Sequence, residues 1–145
     1  MTEERRTFVL ELCHDLGESI RPAMEHCDVL LGEMGDSLNQ QQIDELHTLR
    51  RCAERVLPLA DEISQSALKG DHLFTEPEAF EHFLHQAFHD LRTPVALLIG
   101  FAQVLLNEML GPLSGEQRET LTCILELGKA LQSSLDERQH AATDL

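Results

Sequence analysis

The chain has 145 residues, enough for one domain with a real hydrophobic core and no need for disulfides or metals. Acidic residues outnumber basic ones by 26 to 11, a net charge of −15, which argues against nucleic-acid binding because a phosphate backbone requires a basic surface. Trp and Tyr do not occur and Pro occurs only five times, while Leu, Glu and Gln are frequent. This composition favours helices over strands, and we predict an acidic all-α protein.

Two segments of the chain resemble each other at a distance of 75 positions. The string HDL begins at His14 and again at His89. Sliding residues 8–63 onto 83–138 without a gap gives 14 identities in 56 positions. An internal repeat of this kind predicts a folded unit that is doubled within one chain.

The first helix of each copy is predicted from apolar residues spaced alternately four and three apart. They are Leu16, Ile20, Ala23, Cys27, Leu30 and Met34 in the first copy, and Leu91, Val95, Leu98, Ala102, Leu105 and Met109 in the second. This spacing produces a narrow apolar stripe suited to packing in a bundle. We therefore expect these residues, including both methionines, to lie in the core.

The second helix of each copy follows a capping box. In such a box the cap side chain and the Gln three residues later satisfy each other's exposed amides. The first copy carries this pattern at Asn39 and Gln42, and the second at Ser114 and Gln117. Both positions are expected to begin a helix.

These signals divide the chain into two helical hairpins. We predict a hairpin at residues 1–68, a linker at 69–77 that contains the helix-breaking Gly70, and a second hairpin at 78–145. A four-helix bundle is the simplest way to bury four apolar stripes. The bundle closes either within one chain, as a monomeric pseudo-dimer, or between two chains as a homodimer, and the pattern leaves both open.

The histidine of the second copy is predicted to face away from the core. At roughly 100° per residue, His89 lies about 160° from Leu91. Thr93 is four residues on and shares this outer face. An isolated histidine is more often a surface or core residue than a functional one, but a solvated neutral imidazole beside a carboxylate can act as a nucleophile.

The segment Phe88–Pro94, FHDLRTP, is followed by an apolar helix ending at Leu110–Leu113 and by a second helix. Over residues 80–138 this pattern resembles the HisKA-type dimerisation and histidine-phosphotransfer domain of bacterial sensor histidine kinases. The resemblance implies that His89 is phosphorylated and exchanges its phosphoryl group with an aspartate of a response-regulator receiver domain. It also implies a docking surface formed by the outer faces near His89 and the upper half of its partner helix.

The same resemblance implies roles for the residues that follow the histidine. Asp90 would act as general base or orienting group, and Thr93 would position water for dephosphorylation of the regulator. Arg92 and Pro94 would contribute to binding. Pro94 would also loosen the helix, which agrees with its missing amide hydrogen.

The first copy resembles this family only weakly. His14 and Asp15 remain, but Glu18 stands in place of the Thr and Ser19 in place of the Pro. A carboxylate one turn from His14 would repel a phosphohistidine and an incoming aspartyl phosphate. We interpret this copy as a degenerate structural partner, and a second phosphorylation site at His14 and Asp15 stays open.

The chain shows neither a glycine-rich nucleotide loop nor a P-loop, nor evident groups to hold Mg²⁺ and a triphosphate. We therefore expect phosphotransferase-like activity and not an autonomous ATP-dependent kinase. No tightly bound cofactor is expected, and Mg²⁺ would be supplied by the receiver-domain partner. Met1 and the polar tail suit a complete protein, but a fragment of a longer kinase stays open.

Two other functions compete with a phosphorelay. The chain could be a binding module that sequesters or dephosphorylates a response regulator, or that inhibits a histidine kinase. It could also hold a transition metal on a stripe formed by His82, His85 and His89, although one helix rarely closes such a site alone. We predict no metal site.

The remaining features indicate a cytoplasmic protein without a membrane partner. The cysteines at positions 13, 27, 52 and 123 show no paired spacing and suit buried thiols in a reducing compartment. No signal peptide is visible, and the longest apolar stretch, Val95–Ala102, is too short to span a bilayer. The polar tail after Arg138 is expected to be frayed.

Overall fold

The structure is a computed structural model that describes residues 2–145 apart from the side chain of Asp71. Met1, the first residue of the predicted first hairpin, lies outside the described residues. Helices account for nearly all of the described chain: α1 Thr2–Leu31, α2 Gln40–Lys69, α3 Asp71–Thr75, α4 Pro77–Leu106 and α5 Gly115–Ala142, with a 3₁₀ turn at Gly35–Ser37. None of the described helices is both long and apolar enough to cross a membrane.

The four long helices close into a bundle within one chain. Helix α1 packs against α2 and α5, and helix α4 packs against the same two helices. Each hairpin, α1 with α2 and α4 with α5, therefore completes the other. The predicted all-α bundle of two antiparallel hairpins is confirmed.

The core is built from the predicted apolar stripes. Buried stripe residues include Leu16, Ile20, Ala23, Cys27 and Leu30 in α1 and Leu91, Val95, Leu98, Ala102 and Leu105 in α4. The last member of each stripe behaves differently, because α4 ends at Leu106 and α1 at Leu31. Met109 is 80% exposed and Met34 is only half-buried, so the prediction that Met109 lies in the core is wrong.

Both predicted capping boxes are present, and each also ties the two hairpins together. The side-chain oxygens of Gln42 and Gln117 accept from the backbone amides of their own caps, each at 2.8 Å. Their side-chain nitrogens donate across the bundle end, from Gln42 to the Pro112 carbonyl at 3.1 Å and from Gln117 to the Met34 carbonyl at 2.7 Å. Both amides are thus buried without an unsatisfied polar atom.

The predicted linker is an ordered part of the fold. It contains the short helix α3, and its Phe74 is fully buried. The Phe74 ring lies 5.8 Å from that of Phe80, and the Phe74 carbonyl accepts a hydrogen bond from Arg5 at 2.8 Å. The sequence pattern missed this helix because five residues give too little periodicity to detect.

The polar tail is also ordered, contrary to the prediction that it frays after Arg138. Helix α5 continues to Ala142, which is buried. The Leu145 carbonyl accepts a hydrogen bond from Nε of Arg5 at 3.0 Å. Contacts with α1 therefore hold a segment whose own composition does not favour order.

Candidate functional site

His89 lies in the middle of α4 with its side chain exposed. Its neighbours Phe88 and Leu91 are fully buried and fix the rotation of the helix about its axis. His89 thus points away from the bundle, in the direction that its spacing from the apolar stripe predicts. Among the described residues no hydrogen bond engages its imidazole.

Asp90 and Thr93 lie to one side of His89, towards α2. Asp90 accepts a hydrogen bond from the side-chain amide of Gln86 at 2.9 Å. The Thr93 hydroxyl is exposed and donates to the His89 carbonyl at 3.2 Å. The hydroxyl is therefore held one turn from the histidine, and the roles predicted for Asp90 and Thr93 remain predictions.

Arg92 lies on the other side of His89, towards α5. Its guanidinium donates to Asp136 at 2.7 Å and lies 5.9 Å from the centre of the Phe88 ring. These contacts orient Arg92 along the seam within the second hairpin. The residue predicted to bind a partner is therefore already engaged, though its ion pair is partly exposed and weak enough to exchange.

Pro94 is buried inside α4, and the helix continues through it from Pro77 to Leu106. A proline has no amide hydrogen, so the carbonyl of Asp90 lacks its usual helical donor. One helical hydrogen bond is therefore missing beside His89, and the loosening role of Pro94 remains a prediction.

A groove of about 580 Å³ runs between α2 and α4 beside these residues. Helix α4 contributes four residues, and α2 contributes six, among them two arginines that sequence reasoning missed. The groove is lined by Asp90, Thr93, Pro94 and Leu97 of α4 and by Thr48, Arg51, Cys52, Arg55, Leu59 and Glu62 of α2. Only the packing of the first hairpin on the second brings these residues together, so no local sequence signal could reveal them.

The corresponding site in the first copy has a different environment. His14, Glu18 and Ser19 are exposed on α1. Asp15 accepts a hydrogen bond from Arg138 of α5 at 2.5 Å. His14 and Glu18 line one groove between α1 and α2, and the interpretation of this copy as a structural partner remains a prediction.

The cysteines only partly match the expectation of buried thiols. Cys13 and Cys27 are buried, Cys52 is half-buried and Cys123 is exposed. Burial raises the pKa of the Cys27 thiol to about 12, and it also raises the pKa of Cys13. Among the described residues no three His, Cys, Asp or Glu side chains are grouped to hold a metal ion, and the stripe of His82, His85 and His89 is no exception.

The structure thus presents an exposed histidine on the outer face of a long bundle helix, followed by an acidic residue and a Thr-Pro pair. Residues 81–137 match the family described as His Kinase A (phospho-acceptor) domain. The chain thus contains a HisKA domain, formed by α4 and α5. The resemblance predicted for residues 80–138 is confirmed, and the degenerate first copy stays a prediction.

Curated relatives include two proteins with related segments. The chain is 32% identical over 108 residues to the circadian input-output histidine kinase CikA of Synechococcus elongatus, covering 74% of this chain and 12% of that protein. It is 33% identical over 81 residues to the non-motile and phage-resistance protein of Caulobacter vibrioides, covering 55% of this chain and 9% of that protein. The chain therefore spans about a tenth of the length of these relatives.

No solved structure matches the chain significantly. The matched segment is a phospho-acceptor domain, and these comparisons include proteins described as a circadian input-output histidine kinase and a sensor-like histidine kinase.

Proposed function

We propose that the chain carries a phosphoryl group on His89 and exchanges it with the aspartate of a response-regulator receiver domain, without kinase activity of its own. The observation that supports this most is the exposed imidazole of His89 inside the matched phospho-acceptor domain. A neutral ring nitrogen can attack phosphorus directly, since its lone pair is free near neutral pH.

The transfer requires this chain mainly to position the imidazole of His89 against the aspartyl phosphate. In the proposed step the His89 nitrogen attacks the phosphorus of an aspartyl phosphate. A P–N bond forms, the P–O bond to the aspartate breaks, and the aspartate leaves as a carboxylate. The receiver supplies Mg²⁺ and the acidic pocket that holds it, so the helices have only to present the imidazole and bind the receiver.

A phosphatase or sequestering module is the second candidate, and the exposed hydroxyl of Thr93 favours it. This hydroxyl lies one turn from His89 on the same outer face. It can direct a water molecule towards an aspartyl phosphate docked at the same place. Such a module acts on the regulator without carrying the phosphoryl group itself.

The deciding experiment is phosphoryl exchange with receiver domains that have been labelled by a small-molecule phosphodonor. We expect acid-labile label on the wild-type chain and none on His89→Ala. His85→Ala is the matched control, because His85 is an exposed histidine one turn earlier on the same helix, and it should retain the label. If the wild type never takes label, the phosphorelay is wrong. Loss of label from the receiver then indicates a phosphatase, and stable label indicates a sequestering or inhibitory module.

A further inference from the structure

A cavity of about 350 Å³ lies at the end of the bundle where α4 begins and α5 ends. Three helices form its walls: Arg5 comes from α1, Phe80 and Leu84 come from α4, and Ala142 comes from α5. The groove beside Thr93, by comparison, is lined from two helices. Pockets for small molecules typically measure about 300–1,000 Å³, so this cavity is large enough for a small ligand.

Arg5 directs one nitrogen of its guanidinium into this cavity. The residue is only 9% exposed. Its Nε donates to the Leu145 carbonyl at 3.0 Å, its Nη1 donates to the Phe74 carbonyl at 2.8 Å, and the group lies 4.9 Å from the centre of the Phe80 ring. These contacts leave Nη2 without a hydrogen-bond partner among the described residues. No side-chain nitrogen that is sealed from solvent lacks a partner in the described chain, so Nη2 reaches solvent where Arg5 lines the cavity.

The other walls of the cavity select a class of ligand. The two N–H groups of Nη2 can donate to the oxygens of a carboxylate or a phosphate. The walls beside Arg5 are apolar, with Phe80 and Leu84 both buried. Glu81 and His85 are exposed and line the rim. Because the Glu81 carboxylate repels a dianion more than a monoanion, a carboxylate is favoured over a phosphate.

We propose that this cavity binds a small monocarboxylate with an apolar body, a short fatty acid or an aromatic acid. The carboxylate accepts from Nη2 of Arg5, and the apolar body packs against Phe80 and Leu84. An engineered apolar cavity of about 150 Å³ binds benzene, so the larger volume has room for such a body and its carboxylate. The site is independent of the function proposed for His89, whose side chain does not line this cavity.

NMR titration of the backbone amides of the full chain tests the site, with hexanoate and phenylacetate as the probes. We expect saturable binding, with shifts confined to the residues around the cavity. Phenylacetamide has the same body as phenylacetate but no charge, and it should bind about 10-fold more weakly, since it loses a charged hydrogen bond. If neither carboxylate binds saturably, or if phenylacetamide binds as tightly as phenylacetate, the proposal is wrong. Tighter binding of phenylphosphonate than of phenylacetate would assign the cavity to phosphates and would also overturn it.

Substitution of Arg5 tests its contact with the ligand. Arg5→Gln should weaken binding of the carboxylates by about 10-fold or more. Arg6→Gln is the matched control, because Arg6 donates to the Ala67 carbonyl at 3.1 Å and lies 5.2 Å from the centre of the Phe74 ring but does not line the cavity. It should change the affinity by less than about 2-fold. Equal losses in the two variants would contradict a direct contact with Arg5.

A second pair of variants decides the question if Arg5→Gln does not fold. His85 is exposed at the rim, so His85→Glu should leave the fold intact. The added carboxylate should weaken binding of the probes by about 5-fold through charge repulsion. His82→Glu places the same charge one turn earlier, on an exposed residue that does not line the cavity, and should have little effect. Equal affinities of these two variants would overturn the proposal.

Discussion

Gln42 and Gln117 each donate a side-chain hydrogen bond to the loop of the other hairpin at one end of the bundle. They lie 75 positions apart, the spacing of the internal repeat. Each amide uses its oxygen for its own helix cap and its nitrogen for the opposite loop. A local capping signal thus also fixes how the two hairpins meet.

We expect Gln117→Ala to lower the free energy of unfolding by about 2–3 kcal/mol, at about 1 kcal/mol for each hydrogen bond lost. Three bonds disappear, to the Ser114 amide and to the Met34 carbonyl and Ser37 hydroxyl. Urea denaturation measures the change. The control Gln103→Ala replaces an exposed glutamine of α4 and should cost little. Equal effects of the two substitutions would contradict the bridging role.

Substitution by alanine is expected to have opposite effects on stability at Gly128 and at Gly100. A Cβ at Gly128 would lie 2.8 Å from Leu98 and 2.9 Å from Ile99, whereas one at Gly100 would meet nothing within 4 Å. We expect Gly128→Ala to destabilise by about 1 kcal/mol, because overpacking exceeds the gain in helix propensity. Gly100→Ala should stabilise by about 0.5–1 kcal/mol. Thermal unfolding compares them, and a stabilised Gly128→Ala would show that α4 and α5 pack more loosely than described.

Thr93→Ala is expected to slow dephosphorylation of the receiver by about 100-fold, the lower end of the range for loss of a positioned proton-transfer group. Transfer of label to His89 should stay close to the wild-type rate. Thr122→Ala is the matched control, since its hydroxyl makes the same bond to the carbonyl four residues earlier, at 2.8 Å. Loss of both activities in Thr93→Ala would indicate a docking role for this residue.

The contacts of the Glu108 carboxylate are expected to make the stability of the fold depend on pH. Its carboxylate accepts from the Leu113 amide and pairs with Arg118, each at 3.0 Å, and these contacts lower the pKa of Glu108 below its ordinary value of 4.5. The carboxyl group of Glu108 therefore binds a proton more tightly in the unfolded chain than in the folded chain. The stabilisation is therefore complete above pH 4.5 and is lost as the pH falls through the lowered pKa.

Chemical denaturation of the wild type and Glu108→Gln between pH 7 and pH 3 measures this contribution. The wild type should be the more stable of the two at pH 7, and the difference should vanish on acidification. A difference that is constant across this range would show that the charge of Glu108 makes no contribution.

The long helices could be predicted from hydrophobic periodicity and capping residues, but the positions at which the helices end could not. The stripe from Leu91 to Leu105 is buried as predicted, because a 3.6-residue period requires one apolar face. Met109 continues this spacing beyond the end of α4 and is exposed. Helix α3 and the ordered tail depend on Arg5, whose bonds to Phe74 and Leu145 join residues more than 60 positions apart.

The sequence by itself determined the all-α class, the two hairpins and the outward direction of His89, because each depends on residues within a few turns of one helix. Only the tertiary structure decided that the hairpins close within one chain and that Arg51 and Arg55 of the first lie beside Thr93 of the second. Contacts between distant segments depend on how helix faces pack, and local spacing does not encode that packing.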